Sequence, residues 1–321
     1  MLKLKFSCGL AAAFVCVLVS ASAHAQARRT WVSGLGNDAD PCSRSAPCKT
    51  FAGALTKTAA GGEISTLDPA GYGAVKIDRS ISITNDGAGE AGILVFGSDG
   101  IIVDAGPNDV VNLRGLIIDG GPPDAPGATG VRFVAGGALH IQNCVIRNFS
   151  GGAAFGVHFI PNTSAKLTMQ DTLVAHNGAG FDGGGIMVKP TGGNTVVALR
   201  RVTIADNSNG LVIDTTATPY FLSASLVDSS ATANSLNGVA FVSGSTAERH
   251  SLAIDRSTLS NNWAGVASTG QSSVVSLSNS VVTGNNFGLS AGSLGQIVSY
   301  GNNMLNGNFR KGAVTSTVPT E

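Results

Sequence analysis

The sequence predicts an all-β fold: a right-handed parallel β-helix, wound as a single-stranded solenoid, with a capping helix at its N-terminal end. Three observations carry this reading. First, a degenerate repeat runs through the second half of the chain. Ile141…Asn148-x-x-Gly151 returns as Met169…Asn177-x-x-Gly180, Leu199…Asn207-x-x-Gly210, Ile254…Asn262-x-x-Gly265 and Leu277…Asn285-x-x-Gly288. Repeats of this size describe stacked units, none of which buries its apolar face alone. Second, the segments between turns are short and rich in Val, Ile, Ala and Ser, which suits strands better than helices. Third, only 12% of residues are charged while Gly numbers 43, the composition of a compact, turn-rich β structure and not of a disordered chain. A leucine-rich repeat, which also closes its strand with Asn, is the alternative architecture. The scarcity of Leu and the lack of helical spacing between coils speak against it.

Residues 1–25 read as an export signal. Lys3 and Lys5 form its charged end, Leu10 to Val19 its apolar centre, and Ala23-His24-Ala25 a small-x-small cleavage site. The apolar stretch is short for a membrane span, and no second long one follows. Cleavage removes Cys8 and Cys16, and leaves the mature chain with two more acids than bases. Residues 26–66 form a cap. It holds a short strand at Thr30–Ser33, a loop containing Cys42 and Cys48, and a helix with Phe51, Ala54, Leu55, Thr58 and Ala59 on one face. Such a helix would cover the apolar core that a β-solenoid exposes at its end. In an exported protein the six-residue spacing of Cys42 and Cys48 implies a disulfide, and Cys144 stays single as a packing residue.

Residues 67–308 form the solenoid. Val75–Ile77, Ile81–Ile83, Ile93–Phe96, Ile101–Val103, Val110–Leu113 and Leu116–Ile118 alternate as short strands between Gly, Asp and Asn turns. Asn148, Asn177, Asn207, Asn262 and Asn285 are expected to stack as a ladder at one corner, side chain bonding to the next coil. The interval from Leu199 to Ile254 spans two coils, of which Leu222–Val242 is the one expected to lack the Asn. Residues 309–321 are left as a C-terminal tail.

Candidate chemistry lies where inserted loops collect: Gly120–Thr129, Gly151–Phe155 and Gly178–Gly184, each before a strand. Period-two alternation turns Arg132, His158, Met187 and Lys189 outward on those strands. Asp124 and Asp182 sit in the loops that rim them. Such a face could hold a saccharide, with Arg and Lys opposite uronate carboxylates. As an enzyme it would use His158 or Lys189 as base and Arg132 as carboxylate clamp. The bland reading is a solvated outer face. Arg147, His176 and Asp206 make a second corner set, equally compatible with solvation. Trp263, directly after Asn262, reads as a corner-packing aromatic or a sugar-stacking platform. Asp99, Asp104 and Asp109 do not match the spacing of a calcium loop. No metal site or cofactor is therefore expected; calcium between coils stays open as an alternative without support in the sequence. Lys and Arg are scattered without a basic stripe, so nucleic acid is not an expected partner. The chain reads as a monomer, exported to the periplasm or secreted.

Around the cap, Trp31-Val-Ser33-Gly-x-Gly36-Asn-Asp38, Pro47-Cys-Lys-Thr50-Phe51, Ala54-Leu55, Ala60-Gly-Gly62-Glu63-Ile64 and Asp68-Pro69-x-Gly71-Tyr72 resemble the opening of chains in the pectin-lyase-like superfamily. The chain looks like the exported β-helix-repeat proteins of bacteria in that superfamily. This resemblance implies the β-helix fold along nearly the whole mature chain and says little about activity. The Trp-Ile-Asp-His and Arg-x-Pro-x-x-Arg segments of pectate lyases are missing. So are the Asn-Thr-Asp, Asp-Asp, Gly-His-Gly and Arg-Ile-Lys segments of polygalacturonases. Where alginate epimerases carry Asp-Pro-His, this chain has Asp68-Pro69-Ala70 in a cap turn. No catalytic set transfers residue by residue. The reading is then a polysaccharide- or surface-binding protein. The alternatives are a lyase, hydrolase or epimerase acting on an acidic glycan, and a structural envelope or adhesion protein.

Overall fold

A computed structural model describes residues 26–244 and 250–319. The proposed signal lies outside them. Each coil contributes strands to three faces of a parallel β-solenoid. Two faces belong to one 19-stranded sheet, and the third is a separate nine-stranded sheet from Val75–Ile77 to Phe287–Gly292. The two faces of the large sheet join where Ala165–Ala175 and Thr195–Ala205 run as unbroken strands round a corner. Asp171 and Arg201 bend them there with φ of 51° and 50°.

The core follows from alternation. Val131, Val157 and Ile186 stack in register, as do Phe133, Phe159 and Val188, and all six are buried. The rings of Phe133 and Phe159 stack at 4.5 Å. Phe51, Tyr72, Phe149 and Phe241 are likewise fully buried.

A continuous Asn ladder holds one corner. The Asn207 Oδ1 accepts from both the backbone N–H and the Nδ2 of Asn177, each at 3.0 Å. The Asn207 Nδ2 donates to Asn234 Oδ1 and to the Val174 carbonyl, both at 3.1 Å. The same pattern links Asn234 to Asn262, Asn262 to Asn285 and Asn285 to Asn308. Two expectations are corrected. The coil at Leu222–Val242 does carry its Asn, as Asn234. Asn148 is not a rung: it takes a left-handed φ of 66° and donates to Asp119, while the next residue, Phe149, occupies the ladder slot and donates its N–H to Asn177 Oδ1.

A glycine faces every rung. A Cβ on Gly185, Gly210, Gly238 or Gly265 would lie 3.0, 3.0, 2.7 and 2.9 Å from the Nδ2 of Asn207, Asn234, Asn262 and Asn285. Gly156 stands in the same relation to Asn177, at 2.9 Å. Hence Gly151 and Gly180, expected as repeat glycines, are loop residues. The insertions push the true partners to Gly156 and Gly185.

The opposite corner has a second ladder that no shared residue type announces. Backbone N–H groups of Cys144, Val202, Ser229, Ser257 and Ser280 donate to side-chain oxygens of Thr172, Ser229, Ser257, Ser280 and Asn303 on the following coil.

The cap is built on Asp38. Its carboxylate accepts from the N–H groups of Lys49 and Thr50 and from the Thr50 hydroxyl. Thr50 then N-caps the helix Phe51–Lys57. Phe51, Ala54 and Leu55 turn onto the core. The helix is shorter than expected: Thr58 and Ala59 already belong to the strand Thr58–Thr66, which pairs in parallel with Ala27–Val32. Cys42 and Cys48 are disulfide-bonded with Cα atoms 4.6 Å apart, and Cys144 is free and buried. The supposed C-terminal tail continues the solenoid. Arg310 bridges to Phe287, and Ser316–Thr317 pairs with Val298–Ser299. Among the described residues no helix is long and apolar enough to cross a membrane.

Asn234→Ala should lower the unfolding free energy by about 1–3 kcal/mol, and the urea midpoint with it, because it strands the buried Asn207 amide and backbone N–H. Gly238→Ala should cost a similar amount, since its Cβ would also come within 2.8 Å of the Gly265 carbonyl, which is backbone and yields little. Midpoints within error of the unsubstituted protein for both variants would contradict the ladder account.

Candidate functional site

The insertions all leave the Asn-ladder corner and return at the nine-stranded sheet. The outer surface of that sheet is therefore the one bordered by loops. Arg132 pairs in register with His158, and His158 with Met187, so these side chains form one outward row across adjacent coils. Val212, Ala240 and Ala267 continue the row with small or apolar residues. Lys189, two positions beyond Met187, lies on the same surface at the strand's end. Asp124 and Asp182 are exposed in their loops, with no ion pair or hydrogen bond tying either to this row.

The electrostatics differ from an open cationic face. Lys189 Nζ lies 2.8 Å from Asp214 Oδ2. Lys76, two strands before Arg132 with Ile102 between them, lies 2.8 Å from Asp104. Arg132 reaches Asp99 at 3.5 Å. Asp99 is offered by the sequence only beside Asp104 and Asp109, with a spacing that does not match a calcium loop. Its side chain is only 9% exposed, and its Oδ1 is buried without a hydrogen-bond partner among the described residues. No periodic signal could have found it, because it sits in the Gly97–Gly100 turn and not on a strand.

His158 is held neutral. Burial pushes its imidazole down to about 4, the Arg132 and Lys189 charges push the same way, and Asp99 opposes them. The Phe155 ring packs beside it, centroids 5.2 Å apart. A neutral ring on an aromatic support offers one donor, one acceptor and an apolar face. As a proton acceptor at neutral pH it is weak.

The other candidates separate. Arg147 pairs with Asp119 at 2.8 Å. It precedes the corner, while His176 and Asp206 hold the left-handed corner position itself, with φ of 57° each. Asp119, Pro122, Asn148 and His176 line a basin of about 480 Å³. The larger cavity, about 610 Å³, lies at the cap between Arg29, Trp31, Pro41 and Lys57. Asp104 is taken by Lys76, and Asp109 accepts from Ser80 and Gly106, so the three aspartates do not converge. Among the described residues no group of three His, Cys, Asp or Glu gathers as metal ligands.

His158 makes stability pH-dependent. Its value in the unfolded chain is near 6.5. Between about 6.5 and about 4 the unfolded chain binds a proton that the native protein refuses. Native stability should therefore fall as pH drops through that window, by on the order of 1–2 kcal/mol once partial exposure is allowed for. His158→Gln should flatten this dependence in urea titrations at pH 7, 5.5 and 4. An unchanged slope would show that the imidazole is not held neutral.

No curated protein matches the chain. One solved structure, titled as that of the pectate lyase Pel9A, aligns with 84% of this chain and 74% of its own at a TM-score of 0.62. Sequence identity is 15%, so the likeness is one of fold. The family described as "Right handed beta helix region" matches residues 73–287, which hold the Asn ladder from Asn177 to Asn285 and the strands that carry Arg132, His158 and Met187. The chain belongs to this right-handed β-helix family.

Proposed function

We propose that the chain is an exported protein that binds polysaccharide along the outer surface of its nine-stranded sheet, without a catalytic centre of its own. One observation carries this: Arg132, His158 and Met187 stand in register on successive coils, on the one surface that inserted loops border. A linear polymer crossing the strands would meet a new side chain every ~4.8 Å, the spacing of adjacent strands. The likeness in fold to a pectate lyase supports a saccharide as the ligand class. The Cys42–Cys48 disulfide is compatible with an oxidising compartment, periplasmic or extracellular. Because Arg132 and Lys189 already pair with carboxylates, a bound uronate would share or replace Asp99 and Asp214 as their partner.

A second reading rests on Asp99. A buried carboxylate oxygen without a partner, beside Arg132 and close enough to perturb His158, is the kind of arrangement that acid–base catalysis uses. That reading makes the protein a lyase, hydrolase or epimerase acting on an acidic glycan.

Arg132→Ala combined with His158→Ala should weaken binding of an oligo-uronate by about tenfold or more, roughly 1.4 kcal/mol, with little change in thermal midpoint. Calorimetric titration checks this. Full affinity in the double variant would remove the face from consideration. Appearance of unsaturated or shortened products, abolished by Asp99→Asn, would favour the enzymatic reading.

A further inference from the structure

The last coils present an aromatic surface that the fold does not need. Trp263 is 53% exposed and Phe309 83% exposed, and with Phe287 they form one contiguous group of rings. They are equivalent positions two coils apart: Asn286 N–H donates to the Asn262 carbonyl, and Phe309 N–H to the Asn285 carbonyl, so 263, 286 and 309 step along one edge. Phe287 lies between them, its ring centroid 5.8 Å from that of Trp263. The Arg310 guanidinium sits over Phe287 at 5.2 Å and over Phe309 at 6.0 Å.

Packing does not explain this group. Exposed rings cost solvation and bury nothing, so a contiguous cluster of them is informative where single ones are not. The edge is also the one from which the insertion loops leave in earlier coils. In the coils of Asn207, Asn262 and Asn285 there is no loop, and in the last two of these the aromatics stand in its place. Arg310 differs from the cations of the sheet face. It forms no ion pair among the described residues, whereas Lys76, Arg132 and Lys189 each have a carboxylate. A guanidinium held on aromatic rings keeps its planar fork available for a carboxylate and meets it in partly desolvated surroundings.

We infer that Trp263, Phe287, Phe309 and Arg310 form a second saccharide subsite, which takes a uronic-acid unit by ring stacking and pairs its carboxylate with Arg310. Two coils span ~9.6 Å, the length scale of a disaccharide. Trp263 and Phe309 thus suit alternate faces of neighbouring sugars, with Arg310 between. The subsite lies six strand steps from Arg132 along the nine-stranded sheet, roughly 29 Å. It deepens the polysaccharide reading and rests on it, yet it is far enough from Arg132 and His158 to be tested apart.

The experiment uses the full mature chain and two probes, a galacturonate hexamer and a neutral glucose hexamer. A Trp31→Phe background leaves Trp263 as the sole indole reporter, since the chain has two tryptophans. The galacturonate hexamer is expected to change the Trp263 fluorescence saturably, and the neutral hexamer to bind more weakly. Trp263→Ala (followed by calorimetry) and Phe309→Ala should each weaken galacturonate binding about fivefold to tenfold. Arg310→Gln should remove the preference over the neutral probe, and Arg310→Lys should restore part of it. Circular dichroism and thermal midpoint control for folding. If the Arg132/His158 double variant loses binding while the aromatic variants keep it, the subsite is overturned and the sheet face stands. If the aromatic variants lose binding and the double variant keeps it, the subsite stands and the sheet face fails. No fluorescence change with either sugar overturns the subsite. So does concentration-dependent self-association abolished by Phe309→Ala, which would assign the rings to a second copy of the chain.

Discussion

The structure depends on a single repeated exchange, the side-chain amide of one Asn with the next. Each rung between Asn177 and Asn285 uses its oxygen and its nitrogen, and each is nearly devoid of solvent contact. A buried amide left half-satisfied costs as much as a bond is worth or more. The corner therefore tolerates one register between coils and no other. That register carries along each strand, so that Val stacks on Val and Phe on Phe inside, and Arg132 on His158 outside. The glycine facing each rung has the same origin. It is there because the Asn side chain fills the space where a Cβ would go, not because the backbone turns left-handed.

Charge is arranged by the same stacking. Where the chain bends at the opposite corner with positive φ, successive coils place Asp171, Arg201, Asp228 and Arg256 in one exposed column. Arg201 grips Asp171 with two hydrogen bonds, and these, with one from Gln170 and the Arg201 charge, hold that carboxyl down at about 2. Arg256 reaches Asp228 at 2.7 Å. Like charges one coil apart would repel, and alternation replaces that repulsion by exposed pairs, each of modest worth. A chain with few charges can thus pair many of them across coils.

How much of this was legible follows from what leaves a periodic trace. Apolar alternation and the Asn–Gly interval are local and survive in the sequence, so the fold, the three-residue intervals at Asn207, Asn262 and Asn285, and the outward direction of Arg132, His158 and Met187 could be read. Asn148 misled because an Asn one position early suits a left-handed corner, while Phe149 filled the rung. Asn234 was hidden because its coil is built of Ser and Ala and its glycine comes one residue late. The second ladder was invisible because hydroxyl, thiol and aliphatic side chains share its column. A partner contributed by a turn, such as Asp99 for Arg132, leaves no trace in spacing at all, whereas Asp214, the partner of Lys189, ends a periodic strand on the same face.

The interval between rung and glycine also sets how the chain can be edited. From Asn207 to Gly210 it is three residues, from Asn234 to Gly238 four, and from Asn177 to Gly185 eight, yet the rungs and glycines on either side meet identically. Loop closure grows only slowly more costly with length. This joint therefore behaves as a splice point, where foreign segments can be grafted onto successive coils at ~4.8 Å intervals without disturbing the frame that displays them. A scaffold of that kind allows a linear ligand to be matched unit by unit, each graft addressing one repeat of the polymer.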